Sequence, residues 1–334
     1  MGWWSKKPPP PVLLPTAFGW PTSPVQYIFW AVILAHWAWL IWARFFARRS
    51  THVLDALRAW YYIPAVLVLM PLMHVAVHGM CEDIGVDLAD TVPVNVTNKL
   101  VMIAQIAPVV VFPLTVGEGC LLLYLACKGP NGGQVSWFMH LVIASTLAVT
   151  LFYLLEASSG RCILVSTFDR PLEPLHYLMW TVTMVIDSVT LHMLMAIQRR
   201  MRGEEKLLNE RNLAEVLLCT QALFFAAFYG NLLRPVSALN IILIGTAFTS
   251  FSTVLYRNYE VVQKATMDKV AVGEALALRF VFIRRALSIK WCYYSIVWML
   301  SASDTISIQN EGLLLTALDL LKAMFAISAW ALYL

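Results

Sequence analysis

Two ionisable residues, Asp319 and Lys322, stand one helical turn apart in an otherwise apolar C-terminal stretch. A charge at membrane depth costs about 2.5–3.5 kcal/mol on insertion scales, so such residues mark a function or a firm pairing. The near partner for the lysine is Asp319. The preceding apolar stretch carries Trp291, Tyr294 and Trp298. At spacings of three and four residues these share a helix face, the wall a flat conjugated ligand would need. The plain alternative is an intrahelical ion pair between Asp319 and Lys322 with no ligand at all.

The elements that must position these residues follow from composition. Hydrophobic residues make up 60% of the 334 and charged ones 13%, which excludes an ordinary soluble globule and predicts an all-α membrane protein. Apolar stretches long enough to cross about 30 Å of hydrocarbon lie at 26–46, 59–79, 100–127, 135–155, 174–197, 212–230, 235–256, 276–301 and 312–334. Basic residues orient them. One set of alternate loops holds 16 of the 24 Lys and Arg, among them Arg199, Arg200 and Arg202, and the opposite set holds Lys99, Arg161, Arg170 and Arg234. The basic set is retained in the cytoplasm, so the C-terminus is expected there and, with nine spans, the N-terminus outside.

Segment 80–98 then faces the exterior with Glu82, Asp83, Asp87 and Asp90 and the sequon Asn95-Val96-Thr97. Residues 1–25 are Pro-rich and could lie along the interface through Trp3 and Trp4, which would leave eight spans. No cleavable signal is read, because Lys6 and Lys7 precede Pro8 to Pro11 rather than an apolar run. The six cysteines show no metal-ligand spacing. Cys81 and Cys162 both fall in exterior loops, where a bridge is one option. Nothing suggests a soluble catalytic site or nucleic-acid binding, since topology alone explains the basic loops.

Two runs carry a family resemblance. Trp291-Cys292-Tyr293-Tyr294-Ser295-Ile296-Val297-Trp298 resembles the Trp-x-x-Tyr-Pro-x-x-Trp pattern in the sixth helix of microbial (type 1) rhodopsins, with Ser295 at the proline. His176-Tyr177-Leu178-Met179-Trp180-Thr181-Val182-Thr183 resembles their third-helix Arg-Tyr-x-Asp-Trp-x-x-Thr, with Tyr177, Trp180 and Thr183 in register. Thr150-Leu151-Phe152-Tyr153 is a weaker echo in the second helix. In the seventh, Leu318-Asp319-Leu320-Leu321-Lys322-Ala323-Met324-Phe325 resembles Leu-Asp-x-x-Ala-Lys-x-x-Phe with one residue fewer between acid and lysine. The family carries a π-bulge beside this lysine, and losing the extra residue would leave a regular helix there. The resemblance implies a seven-helix bundle over 99–334, preceded by an extension at 1–98 with one or two extra transmembrane helices. It implies all-trans retinal bound covalently to Lys322 as a Schiff base, with Asp319, Trp291, Tyr294, Trp298, Tyr177, Trp180, Thr183 and Asp187 around it.

Departures from the pattern bear on output. Met179 stands where the family carries the acid that accepts the Schiff-base proton, His176 where it carries arginine, and Thr190 where pumps carry an internal donor. Asp319 is then the expected counterion and Asp187, seven residues after Trp180, a candidate colour-tuning group. His176 is expected to close the exterior side, as arginine does in the family. Pumping of the common kind is not expected. Only 12 residues follow Lys322, about 18 Å of helix, as in a membrane module cut from a longer protein. The expectation is a photosensor in the lipid bilayer, with the plasma membrane and a dimer favoured, signalling to a cytoplasmic output domain or partner as enzyme-linked rhodopsins do. Two alternatives stay open. One is a light-gated ion channel with Glu118, Glu156, His176 and Asp187 along its pore; the other is a retinal-free opsin-like scaffold.

Overall fold

The computed structural model describes residues 62–84, 141, 144–155, 164–165, 171–201, 210–232, 237–267, 292–301, 303, 305–307, 310–315 and 317–319, with isolated helical positions at 31, 34, 35, 37, 38 and 41. The helices are α1 (Tyr62–Ile84), α2 (Ala144–Leu155), α3 (Pro174–Met201), α4 (Glu210–Leu232), α5 (Ala238–Met267), α6 (292–301) and α7 (310–315 and 317–319). Six of them fall on predicted rhodopsin spans, while the span expected at 100–127 lies outside the described residues. Among the described residues two helices are long and apolar enough to cross a membrane, Arg211–Asn231 and Ala238–Val261. With the composition, this makes the chain an integral membrane protein. The one departure from helix among the described elements is a ribbon of two-residue strands between α2 and α3. Leu164–Val165 (β1) pairs antiparallel with Pro171–Leu172 (β2), and Leu164 stands opposite Leu172. Pro171 is tolerated because a two-stranded ribbon is all edge.

Local chemistry sets the helix starts. Glu173 precedes Pro174 at the first position of α3, where the missing N–H costs nothing and the fixed φ favours a helix. Ser237 caps α5 by accepting the Asn240 N–H at 3.2 Å, and Ser307 caps α7 by accepting the Asn310 N–H at 3.3 Å. Asp319 thereby sits on a helix with a fixed beginning. The core is built where α1 to α4 meet, around Met70, Leu141, Phe152, Met179, Ile186 and Leu213, all fully or nearly fully buried. Asn231 binds the Tyr177 hydroxyl at 3.4 Å between α3 and α4, and Asn240 donates to the Gly230 carbonyl at 2.7 Å between α4 and α5.

Candidate functional site

Three of the described helices, α2, α3 and α6, converge on Asp319 of α7. It is 1% exposed, and both carboxylate oxygens accept hydrogen bonds from other helices. Oδ2 takes the Tyr153 hydroxyl of α2 at 2.9 Å and lies 3.1 Å from His176 Nε2 of α3. Oδ1 takes the Tyr294 hydroxyl of α6 at 3.1 Å and the Trp180 indole N–H of α3 at 3.4 Å. Both oxygens therefore act as acceptors, the only role an ionised carboxylate has. A hydrogen bond to a charged group is worth about 1.5–3 kcal/mol net, so this cage accounts for an acid sitting away from water.

Aromatic rings pack around the same spot. Trp180 meets Tyr294 edge to face at 4.9 Å, Tyr177 at 5.4 Å and Phe224 at 6.2 Å, and the His176 ring lies 4.2 Å from Trp180. Phe152 stacks on the other side of His176 at 4.8 Å. Beside the cage Met179 is fully buried, its sulfur 4.0 Å from the Thr183 hydroxyl, which donates to the Trp180 carbonyl at 3.2 Å. A thioether at this position does not accept a proton as a carboxylate would.

Of the residues expected at the site, Asp319, Tyr294 and Trp180 stand in mutual contact, Tyr177 packs on Trp180, and Thr183 is buried on the same helix as Trp180. Trp298 packs instead edge to face on Phe248 of α5 at 6.0 Å. Asp187 is half-buried two turns along α3 from Trp180 and accepts the Ser145 hydroxyl of α2 at 3.1 Å. Trp291 and Lys322 lie outside the described residues, as do Glu118, Glu156 and the Cys162 end of the suggested bridge.

Sequence reasoning misses the place of three participants. Tyr153 is visible there only as an echo of a family pattern, and Ser145 carries no signal at all. His176, expected to close the exterior side, sits between two carboxylates, with Nδ1 3.5 Å from Glu173 Oε2. The pairing in Glu173-Pro174-x-His176, an acid at a helix start with histidine one turn on, is the available clue.

With this geometry in place, the fold is that of the microbial (type 1) rhodopsins. The solved transmembrane domain of the Salpingoeca rosetta rhodopsin phosphodiesterase is 13% identical at a TM-score of 0.60, over 78% of this chain and 94% of that one. A thermophilic rhodopsin from Rubrobacter xylanophilus is 20% identical at 0.55, over 69% and 95%. The light-driven proton pump from Leptosphaeria maculans is 17% identical at 0.52, also over 69% and 95%. No protein-family model matches the chain, and no curated protein sequence does.

Proposed function

We propose that this chain is a light-sensing retinal protein, with retinal held on Lys322 as a Schiff base and helix motion passed to a cytoplasmic output domain or partner. The observation that carries the reading is the Asp319 cage: a buried carboxylate, satisfied from α2, α3 and α6, three residues before Lys322 in the sequence. Such an anion suits a neighbouring buried cation, which in low dielectric needs a carboxylate beside it. Trp180, Tyr294 and Tyr177 offer the aromatic wall, with Trp291 and Trp298 proposed to extend it. Retinal, when bound, supplies light absorption and a change of shape. The protein's part is to hold charge and to transmit movement, because Asp319 ties α7 to three helices at once.

Met179 favours sensing over outward proton pumping, since a thioether in the family's acceptor position takes no proton. The match to a rhodopsin phosphodiesterase supports an output domain, and the larger share of chain it covers supports extra helix before the bundle. We place the C-terminus in the cytoplasm from the basic loops. The experiment is visible absorption of the purified chain with all-trans retinal beside a Lys322→Ala variant. Colour in the first and none in the second is expected; equal spectra would remove the pigment reading. Recording current under light flashes tests the output, and a sustained photocurrent would replace the sensor with a light-gated channel.

A further inference from the structure

The deep carboxylate has a stepwise path toward the end of the bundle that the basic-loop distribution assigns to the exterior. Asp319 Oδ2 lies 3.1 Å from His176 Nε2, and the other ring nitrogen lies 3.5 Å from Glu173 Oε2. Side-chain exposure rises along the path, from 0% at Asp319 to 11% at His176 and 15% at Glu173. The ring is held in this bridging pose. Pro174 opens the helix, the His176 N–H donates to the Glu173 carbonyl at 3.1 Å, and Phe152 stacks on the imidazole with planes 28° apart. The other titratable groups facing this cluster are the Tyr153 and Tyr294 hydroxyls, both on Asp319.

We propose that His176 is a proton relay between the exterior and Asp319, with Glu173 as its outer station. An imidazole can take a proton on one nitrogen while giving one from the other, whereas a guanidinium has five donors and no free lone pair. In the inward direction a proton from exterior water binds the Glu173 carboxylate. The new O–H gives its proton to Nδ1 as Nε2–H gives its own to Asp319. One N–H forms, one breaks, and the ring stays neutral in its other tautomer; when Asp319 later releases the proton outward, both transfers run in reverse and restore the first tautomer. The net change is one proton moved from exterior water to Asp319, which cancels the negative charge beside Lys322. Arginine at this position would allow no such exchange, so the substitution converts a fixed charge into an exchanger.

This inference rests on the reading of Asp319 as the charge partner of the pigment, and its two tests separate the ideas. Full-length chain with all-trans retinal in lipid vesicles is mixed rapidly with acid outside, and the change in visible absorption is timed. His176→Arg puts a permanent cation with no free lone pair beside Asp319 and is expected to slow the response by about a hundredfold, the low end of what a positioned proton-transfer group contributes. Glu173→Gln is expected to slow it in the same direction. Equal rates in all three proteins would leave His176 a static ion-pair partner and overturn the relay. Where no colour forms at all the pigment reading fails, and 15N NMR of the retinal-free, histidine-labelled chain decides the relay by itself. The His176 signals, identified by His176→Gln, are expected to report a neutral ring whose proton exchanges between the two nitrogens, and to move in Asp319→Asn. A ring doubly protonated at every pH at which the chain stays folded has no lone pair to offer and overturns it.

Discussion

Four donors on one carboxylate are more than packing needs, and they are not equal. The Tyr153 contact is the shortest at 2.9 Å and the Trp180 contact the longest at 3.4 Å. Tyr153→Phe keeps the ring and deletes only the hydroxyl, so it is expected to cost about 1.5–3 kcal/mol, the net worth of a bond to a charged acceptor. Trp180→His, which keeps a ring donor, should cost more through lost packing than through the hydrogen bond. Thermal unfolding in detergent micelles checks both, and a Tyr153→Phe protein as stable as the parent would mean that Asp319 does not depend on that bond. The same residues show what a single sequence reveals. Tyr177, Trp180 and Thr183 are legible because they match the third-helix pattern of the family the run resembles, and Asp319 because an acid in an apolar helix stands out. The partners of Asp319 are not legible: Tyr153 is 166 residues away and His176 143, and only the fold brings them together. Trp298 shares the expected face with Tyr294, yet its ring goes to Phe248, because a face about 100° wide admits more than one neighbour.

At the scale of elements, hydropathy locates the helices better than their ends. The stretch expected at 212–230 is α4 at Glu210–Leu232, but the stretch expected at 235–256 is α5 running on to Met267. Arg257 explains the extension. Its guanidinium bonds Glu260 one turn on at 3.1 Å and Glu215 of α4 at 3.1 Å, so the helix continues on ion pairs where its apolar residues stop. The strand ribbon is likewise invisible in the sequence, since two residues are too short for any period. The α4–α5 contact offers a paired test from two glycines. A Cβ at Gly230 would meet the Ile244 side chain at 2.9 Å, whereas one at Gly245 meets nothing within 4 Å. Gly230→Ala is therefore expected to be the less favourable of the two, because the end of the Ile244 side chain must shift to admit the methyl and offsets the helix gain. Gly245→Ala should instead be neutral or stabilise by up to about 1 kcal/mol, because alanine is the better helix former. Melting curves of the two variants in the same detergent check this, and like effects at both positions would count against the close approach of α4 and α5 at Gly230.

For the whole molecule the question is whether the N-terminal extension is a tether or part of the bundle. Helix α1 is mostly apolar over Ala65–Val77, as a helix between protein and lipid must be. Its burial is one-sided: Val66, Met70, Met73 and Val77 are buried at spacings of four, three and four, while Leu67, Val68 and Val75 are exposed. That stripe packs against α3, the helix that carries His176, Trp180 and Asp187. Farther upstream, Trp37 meets Phe225 of α4 edge to face at 5.4 Å, so two separate parts of the extension touch neighbouring helices. Within lipid such contacts gain little from excluding water, and their worth lies in close packing. The prediction is that a chain beginning at residue 99 still folds but melts lower, by about 5 °C or more, on the scale where 1 kcal/mol moves a chain of about 150–250 residues by about 2–4 °C. Met70→Ala in the full chain is expected to reproduce part of that loss, since a buried Met→Ala costs about 2–5 kcal/mol. Parallel thermal unfolding of the three proteins is the measurement. A shortened chain as stable as the full one would make the extension a tether, and α3 would then owe its position to the seven-helix bundle alone.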